Sequence, residues 1–420
     1  MDWSLFYGES SAKPDAAYGL QRFFNIHGLG IAAGRSPKLR RAMLETQSLH
    51  PADLTHADRA AWRALAAARP AFSSPLLGPD FALAVGDVRD DARVTVFRRA
   101  GEAIGFLPHH RRPGGLARPI GALLSDFHAL VSAADFGLGG AEALAAADLS
   151  SFRFSGLLDP LALFGPTTER EAHSIVLAEP PEDYLEGLRA ASAKRFKNWR
   201  RLENKLDREV GPLRFAAPDH SGEAFDTLLR WKREQLHRTG GHDFLRPEWT
   251  VQLLRNLFAL RTGDFQGLML CVYAGDRLVA GHFGVRLGEV YHPWIASTDP
   301  ELAAWSPGQT FLNQAILAMP SLGLRRYDLG PGHDHYKRPW ATTQTAIGEG
   351  VALAASAAGR RAGSVETAWA LAGARRNGAV GRLHRRLDAI ASADPTMGGR
   401  LRGFVDAVAA QARKGQEAEG

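Results

Sequence analysis

The sequence predicts an α+β fold (mixed α/β class) made of two lobes, each a mostly antiparallel sheet flanked by helices. A basic helix joins the lobes, and a helical, arginine-rich tail follows them. The chain of 420 residues is too long for one compact core and suits two domains with appendages. Residues 182–209 repeat apolar side chains with a helical period and carry basic ones opposite. Residues 213–353 are patterned as two helices, three antiparallel strands, a helix, a strand, a loop and a last strand.

The composition excludes several classes of protein. Apolar residues make up 45% of the chain and charged residues 23%, as in ordinary globular proteins. Every apolar run is interrupted before the roughly 18–20 residues that a membrane span needs, and no signal-peptide pattern is present. A single cysteine, Cys271, excludes an internal disulfide framework and a multi-cysteine zinc site. We therefore expect a cytoplasmic protein, at most peripheral at the inner face of the membrane.

The net charge favours anionic partners. A formal charge of +6 and an isoelectric point near 9.6 suit phosphates, nucleic acid, acidic glycans or an anionic membrane surface. The basic excess is rich in arginine and spread over several segments, and we expect no DNA partner.

The first half of the chain predicts an unpatterned extension, residues 1–45, and then a first lobe, residues 46–180. Within the lobe, the pattern predicts a helix over 53–68, strands over 81–85, 93–98 and 103–108, and an alanine-rich helix over 141–147 followed by two further strands. Arg99-Ala100-Gly101-Glu102 is typical of a hairpin turn. A loop rich in proline, glycine and arginine then precedes Ser125-Asp126-Phe127.

The basic linker, residues 182–209, is predicted as one helix with two opposite faces. The apolar face carries Tyr184, Leu185, Leu188, Phe196, Trp199, Leu202 and Leu206, and the basic face carries Lys194, Lys197, Arg201, Lys205 and Arg208. The basic face is either a solvated surface or a stripe that faces a phosphate-bearing ligand between the lobes. On the second interpretation, Lys197 and Arg201 bind the substrate.

The second lobe, residues 181–353 with the linker, has the clearest pattern. Two helices end near 237 and 261, strands follow over 267–273, 278–287 and 290–297, and a helix over 307–319 precedes strands over 326–329 and 343–353. The tail, residues 354–420, is predicted to be helical. Its arginines offer a site for an anionic ligand and include Arg360, Arg361, Arg375, Arg376, Arg382, Arg385 and Arg386.

Three segments of the second half resemble a known family. They are His292-Pro293-Trp294, the run from Asp299 that ends in Ser306-Pro307-Gly308, and Tyr327-Asp328-Leu329-Gly330-Pro331-Gly332 followed by Tyr336-Lys337. These segments resemble the FemAB-like branch of the GNAT acyltransferases, encoded beside cellulose and other exopolysaccharide synthesis systems. Ser125-Asp126-Phe127, the basic linker and Trp231-Lys232 also fit, so the resemblance spans residues 49–353.

The resemblance implies two GNAT-like lobes, the second of which binds the acyl donor, with acetyl-CoA as co-substrate. It implies a glycan or amino-sugar acceptor and an association with a membrane polysaccharide synthesis machinery. We expect Trp294 among the donor-binding residues and Asp126 among the acceptor-binding residues. A conventional GNAT domain holds the CoA pyrophosphate with a Gln/Arg-x-x-Gly-x-Gly/Ala loop. This chain departs from that pattern, since the equivalent segment is Ser306-Pro307-Gly308-Gln309-Thr310.

The segment from Ser306 to Thr310 also indicates anion binding without the family. Ser306 is a favoured N-cap, Pro307 is a favoured first helical residue, and Gly308 keeps side-chain bulk off the first turn. The unpaired N–H groups of such a helix start attract a phosphate, and Gln309 and Thr310 lie in the same turn. The alternative is a capped helix that binds nothing.

Acyl transfer from a thioester needs an oriented nucleophile, a base for its proton and stabilisation of the oxyanion. Lys337 is a candidate for stabilising the oxyanion or a donor phosphate, and Tyr336 for protonating the leaving thiolate; the alternative is a surface lysine and a half-buried tyrosine. Asp328, Asp126 and His292 are candidate bases, with Asp328 ranked first. Asp328 also suits a loop cap, and His292 also suits a core position.

No metal is expected. His333-Asp334-His335 has a metal-like spacing but lacks a third ligand. Cys271 lies in an apolar strand without a recognisable histidine partner, which argues against covalent catalysis.

The sequence leaves three functions open. The first is transfer of an acyl group from acyl-CoA to an amine or hydroxyl of a glycan or amino sugar. The second is a Fem-type transferase that takes its acyl group from aminoacyl-tRNA, with the basic linker holding the RNA. The third is a regulator of polysaccharide assembly that binds an anionic ligand, such as a cyclic dinucleotide, without turnover.

Overall fold

A computed structural model describes residues 44–165, 167–332, 337–374 and 378–393, together with Gly398. Of the predicted extension over residues 1–45, only the last two residues lie in these ranges. Tyr336, the His333-Asp334-His335 segment, Arg375 and Arg376 lie outside them.

The described residues form one mixed sheet with helices on both faces. The strands are β1 (Leu44–Leu49), β2 (Ala92–Arg99), β3 (Glu102–Arg111), β4 (Leu116–Pro119), β5 (Val131–Ser132), β6 (Ser151–Leu157), β7 (Thr168–Val176), β8 (Leu213–Ala216), β9 (Phe265–Ala274), β10 (Arg277–Leu287), β11 (Val290–Thr298), β12 (Arg326–Pro331) and β13 (Thr343–Leu353). The helices are α1 (His56–Ala67), α2 (Pro79–Gly86), α3 (Gly140–Ala146), α4 (Pro181–Ala191), α5 (Ala193–Glu209), α6 (Gly222–Thr239), α7 (Glu248–Ala259), α8 (Pro307–Ala318), α9 (Ala357–Leu371) and α10 (Ala379–Ala393). Within the described ranges, none of these helices has the length and apolar character needed to cross a bilayer.

The sheet repeats one motif twice. Its strand order is β1-β2-β3-β4-β6-β13-β7-β12-β11-β10-β9-β8, with β5 paired to β3. In the first lobe, the antiparallel strands β2, β3 and β4 are followed by α3 and by β6, which runs parallel to β4. In the second lobe, β9, β10 and β11 are followed by α8 and by β12, which runs parallel to β11. The predicted α+β class with two lobes of mostly antiparallel sheet is confirmed.

The two lobes exchange their last strands. β13, which follows the second motif, lies between β6 and β7, and β7, which follows the first motif, lies between β13 and β12. All of these pairings are antiparallel. The exchange pairs Asp328 on β12 with Ser174 on β7, so each lobe supplies a strand to the edge of the other.

Local sequence signals account for several elements. Ala100 and Gly101 have φ values of 51° and 84°, the left-handed pair that a two-residue hairpin between β2 and β3 requires. Thr55 and Asp58 form a reciprocal capping box at the start of α1.

Two predicted elements differ from the structure, and one strand was not predicted. Residues 81–85, predicted as a strand, lie in α2, because Gly78 and Pro79 begin a helix and a short apolar run does not distinguish the two. The linker over 182–209 is two helices, interrupted at Ser192, whose φ of −146° and ψ of 49° are not helical. β1 was missed because its side chains are mostly exposed and lack an alternating pattern of burial.

The second lobe has a core on each face of the sheet. On one face, which we call the α6 face, α6 and α7 meet α2 of the first lobe in a core that includes Phe225, Phe283 and Trp294. On the other, which we call the α8 face, α4, α5 and α8 pack in a core that includes Phe311 and Trp340. β11 and β12 therefore lie between two cores.

Candidate functional site

An opening in the sheet lies between β11 and β12. The two strands form only two parallel residue pairs, the second being Tyr291 with Tyr327. Beyond it they form no further ladder pair in the described part of the chain. His292 and Asp328, the next residue on each strand, therefore lie where the strands separate.

A bulge in β11 shapes this opening. The register between β10 and β11 shifts so that Trp294 is the extra residue. A Cβ added to Gly284 would lie 2.0 Å from the carbonyl oxygen of His292, so the strands approach this closely only because residue 284 is glycine. The bulge brings His292 and Trp294 to the α6 face together, with their ring centroids 6.2 Å apart.

Three of the predicted site residues meet at the opening. His292 Nε2 lies 3.0 Å from Asp126 Oδ2, and His292 Nδ1 lies 3.4 Å from Asp328 Oδ2. Asp126 comes from the loop between β4 and β5, so the cluster joins the two lobes. The Phe127 ring packs edge-on against the imidazole at 5.4 Å and helps to fix its plane.

Asp328 has two further partners. Ser174 Oγ donates a hydrogen bond to Asp328 Oδ1 at 2.7 Å, and Arg326 Nε donates to the same oxygen at 2.6 Å. Arg326 Nη1 in turn lies 3.2 Å from Ser73 Oγ. Asp328 is therefore held from three sides.

The carboxylates keep His292 charged. Burial disfavours the imidazolium, but its hydrogen bonds to Asp126 and Asp328 outweigh burial and raise the pKa of His292 to about 9. Burial also opposes ionisation of Asp328, yet His292 and Arg326 hold the pKa of that carboxyl below its usual range. At neutral pH a cationic His292 thus lies between the two carboxyl groups.

Asp126 is the member of the cluster that reaches solvent. Its side chain is 34% exposed, whereas those of His292 and Asp328 are fully buried. The glycine-rich turn after β12 comes close to it, since a Cβ on Gly330 would lie 3.4 Å from Asp126 Oδ2. A molecule entering from the first lobe would therefore meet Asp126 before the other two.

Trp294 also has a polar group directed into the core. It is 8% exposed, and its ring lies 5.9 Å from that of Phe81 in the first lobe. Its Nε1 has no hydrogen-bond partner among the described residues. A buried indole N–H without an acceptor is unusual and suits a ligand that supplies one.

The α8 face of the opening has different chemistry. His282 Nδ1 lies 2.7 Å from the Tyr327 hydroxyl, and its ring stacks on Phe311 at 4.1 Å. Burial, together with the charges of Lys232 and Lys337, lowers the pKa of His282 to about 3. His282 is therefore neutral and shares a hydrogen bond with the Tyr327 hydroxyl, in a region that two lysines make electropositive.

The start of α8 differs from the predicted cap in one respect. Ser306 occupies the N-cap position and Pro307 the first helical position, but Ser306 has a φ of 52° and its side chain makes no cap hydrogen bond. A Cβ on Gly308 would meet only the Thr298 methyl group at 3.6 Å, so the first turn is open. Gln309 Oε1 accepts a hydrogen bond from Trp340 Nε1 at 2.9 Å, and Thr310 is buried.

The predicted donor-binding residues lie on two faces of the sheet. Trp294 belongs to the α6 face, whereas the segment from Ser306 to Thr310 begins α8 on the other face. Lys337 is 7% exposed, and its Nζ donates a hydrogen bond to the Pro331 carbonyl at 2.8 Å. Lys337 therefore lies near the opening and is not a surface lysine.

The linker residues are not part of this cluster. Lys197 and Arg201 are exposed on α5, and Arg201 Nη2 donates to Asn198 Oδ1 at 3.1 Å. The apolar side of α5 is anchored, since the Trp199 ring stacks on Trp340 at 5.2 Å. The basic side thus remains available to solvent or to a ligand.

Two other predictions can be compared with the structure. Cys271 is fully buried, and burial raises the pKa of its thiol above its usual range, which makes it a poor nucleophile. Across the described ranges, no three histidine, cysteine, aspartate or glutamate side chains are grouped as metal ligands.

Sequence reasoning missed Arg326, Ser174 and His282. Arg326 was recognisable, since residues two apart on a strand point to the same side and Arg326 precedes Asp328 by two. Ser174 reaches the site only through the strand exchange. His282 lies in the middle of β10 without a motif around it.

Comparisons over most of the chain find only distant likenesses to solved structures. No curated protein gives a significant match. The structure of FemX matches with 11% identity over 73% of this chain and 96% of that chain, at a TM-score of 0.44. A tandem GNAT protein from the clavulanic acid biosynthesis pathway matches with 13% identity over 75% and 99%, at 0.42. The C-terminal domain of a provisionally named lysylphosphatidylglycerol synthetase from Agrobacterium fabrum matches with 12% identity over 74% and 96%, at 0.41.

A family model gives the more specific result. The acetyltransferase (GNAT) domain model matches residues 193–338. The match begins with α5 and contains β11, β12, the start of α8 and Lys337, while Asp126 lies outside it. Residues 193–338 are therefore similar to a GNAT acetyltransferase domain.

Proposed function

We propose that this protein transfers an acetyl or other acyl group from acyl-CoA to an amine or hydroxyl of an amino-sugar or other glycan acceptor in exopolysaccharide biosynthesis. The observation that carries the proposal is the chain of contacts from Asp126 through His292 to Asp328. It lies at the opening between two strands of the GNAT domain. A partly exposed carboxylate that a buried histidine holds in position can meet an acceptor and accept its proton.

The donor is assigned to the α8 face. The first turn of α8 is open at Gly308, and its N–H groups together with the helix dipole favour a phosphate. Lys232 and Lys337 add positive charge nearby. The opening between β11 and β12 would let a thioester reach from this face toward Asp126.

The acceptor is assigned to the α6 face. Its nitrogen or oxygen attacks the thioester carbonyl, a new carbon–nitrogen or carbon–oxygen bond forms, and the carbon–sulfur bond breaks as the thiolate leaves. The acceptor loses one proton and the thiolate gains one, so the overall reaction is balanced. Lys337 and the unpartnered N–H of Trp294 are candidates for stabilising the negative charge that develops on the way.

We assign the base to Asp126 and not to Asp328, the residue ranked first from the sequence. Asp328 is fully buried and already bound by Ser174 and Arg326, so no acceptor reaches it. Its role is to hold His292, which in turn orients the Asp126 carboxylate. Tyr336 remains a predicted acid for the thiolate.

A second candidate is a transferase that uses aminoacyl-tRNA, and it rests on one observation. The basic side of α5, with Lys197 and Arg201, is exposed and would suit an RNA backbone.

Calorimetric titration with acetyl-CoA and with charged tRNA separates the two donors, and thiol release from acetyl-CoA with an amino-sugar panel tests turnover. Binding and turnover of acetyl-CoA are expected. Binding of charged tRNA alone would overturn the choice of donor.

A further inference from the structure

A large cavity opens beside Asp126, outside the GNAT domain match. Its volume is about 1040 Å³, at the upper end of ligand pockets. Strands β4, β6 and β13 form its floor, and helices α9 and α10 of the C-terminal tail form its roof. Asp126 is one of the lining residues, so the cavity leads to the cluster at the sheet opening.

Ion pairs hold the roof to the floor. Arg118 on β4 forms a two-pronged pair with Asp388 on α10, one contact being 2.8 Å. Arg153 on β6 pairs with Glu366 on α9, and its Nε lies 3.3 Å from Asp388. Arg112 Nη2 also donates to the Ala391 carbonyl at 3.0 Å. Because these side chains are partly buried, removing one partner of a pair leaves a charge that solvent compensates only in part.

The charges of the lining are nearly balanced. The lining contains three arginines, Arg118, Arg153 and Arg385, and four carboxylates, Asp126, Glu349, Glu366 and Asp388. The two floor arginines are already paired with the roof, and Arg385 is exposed. Burial lowers the pKa of His384, so it adds no charge at neutral pH. A phosphate would therefore find no uncommitted arginine on the floor.

The remaining lining is aromatic and rich in hydroxyl groups. Aromatic rings come from Phe154, Phe164 and Trp369, and hydroxyl groups from Ser125, Ser155, Thr167, Thr168, Thr367 and Ser392. The Trp369 ring on α9 contacts His384 on α10 at 4.8 Å, which joins the two roof helices. Flat apolar faces beside hydroxyl groups suit a molecule with both apolar faces and many hydroxyls.

We propose that this cavity is the acceptor site, that α9 and α10 are its roof, and that it takes an unphosphorylated, hydroxyl-rich amine such as an amino sugar or a short chain of them. The amine end lies toward Asp126, which takes the one proton that the neutral amine loses as it attacks the thioester carbonyl. The tail thus helps to select the acceptor. This inference rests on the proposed function, since it identifies the acceptor of that reaction.

The test uses the full chain and two variants of the cavity. Ser155→Trp fills it from an exposed position on β6, and Asp388→Asn removes the shared partner of Arg118 and Arg153. Val365→Thr, at an exposed side chain of α9 outside the lining, is the matched control. The probes are glucosamine, its dimer and tetramer, and glucosamine 6-phosphate, each measured by calorimetric binding and as acceptor in thiol release.

Wild type is expected to bind the unphosphorylated probes at least tenfold more tightly than glucosamine 6-phosphate. Each cavity variant should weaken that binding, and raise the KM of the acceptor, at least tenfold, with the KM of acetyl-CoA unchanged and the control unaffected. Binding of the unphosphorylated probes by both variants as tightly as by wild type, or a preference of wild type for the phosphorylated probe, overturns the cavity assignment. Absence of acetyl-CoA binding in a protein that binds the sugars would instead overturn the proposed function.

Discussion

Replacing His292 by glutamine tests the electrostatics of the cluster. His292 is fully buried between Asp126 and Asp328, and its charge compensates theirs. Glutamine retains a hydrogen-bond donor of similar size but carries no charge. The variant leaves Asp328 with the charge of Arg326 and the hydroxyl of Ser174, and removing one partner from a buried ion pair typically costs about 3–5 kcal/mol of stability. We expect a loss of this order at pH 6.5.

The loss should depend on pH in a defined direction. The pKa of His292 is raised from 6.5 to about 9 by folding. A raised pKa means that the contribution of His292 to stability is complete below about pH 6.5 and is lost as the pH rises through 9. At about 1.4 kcal/mol per pKa unit, the contribution that disappears is about 3 kcal/mol. The stability difference between wild type and His292→Gln should shrink by about that amount between pH 6.5 and 10.

The assay is urea unfolding, followed by tryptophan fluorescence, at several pH values across that range. His128→Gln is a matched control, because burial lowers the pKa of His128 to about 4 and it stays neutral throughout. The control should be destabilised by an amount that does not change with pH. A constant difference between wild type and His292→Gln would refute the assignment of a charged His292.

Three further predictions follow from individual contacts. Gly308→Glu should abolish CoA binding in calorimetry while leaving the melting temperature near that of wild type. Gly308→Ala should fold normally, because a Cβ there meets only the Thr298 methyl group at 3.6 Å. CoA binding by the glutamate variant would contradict the assignment of the donor to the start of α8. Changing the exposed residues Lys197 and Arg201 together to glutamine should weaken binding of the donor or the acceptor and make it less dependent on salt, without loss of stability. Unchanged affinity at low salt would show that the basic face of α5 is only a solvated surface. Gly284→Ala should lower the free energy of unfolding in urea by at least about 2 kcal/mol, since its Cβ would lie 2.0 Å from the His292 carbonyl oxygen. A smaller loss would mean that the bulge in β11 relaxes easily.

Much of the second lobe could be predicted because its elements are locally specified. β9, β10 and β11 alternate apolar residues and are separated by short turns, and α8 begins at a Ser-Pro-Gly segment. The prediction of a strand over residues 81–85 was wrong because a run of four or five apolar residues suits a strand or a buried helix equally. In that case Gly78 and Pro79, just before the run, carried the deciding signal.

The site could be predicted only in part, because it depends on distant segments. Asp126 and His292 are 166 positions apart in the sequence, and the local periodicity of each segment cannot predict a contact between them. The exchange of β7 and β13 could not be predicted either, because the sequence of a single strand does not specify which strands lie beside it in the sheet. Sequence reasoning proposed Asp126, His292 and Asp328 separately, as candidate bases. The structure shows that His292 lies between Asp126 and Asp328 and that Asp126 is the exposed member of the cluster.

The most direct test of the central claim is the turnover of Asp126→Asn. Asparagine keeps the size of the side chain but cannot accept the acceptor's proton, and losing a general base lowers rate roughly 100-fold or more. Thiol release from acetyl-CoA with an amino-sugar acceptor, measured beside calorimetric CoA binding, should show that fall in kcat with an unchanged Kd for CoA. Asp135→Asn, at a side chain that is 72% exposed, should behave as wild type. An Asp126→Asn variant whose kcat stays within about twofold of wild type would contradict the account.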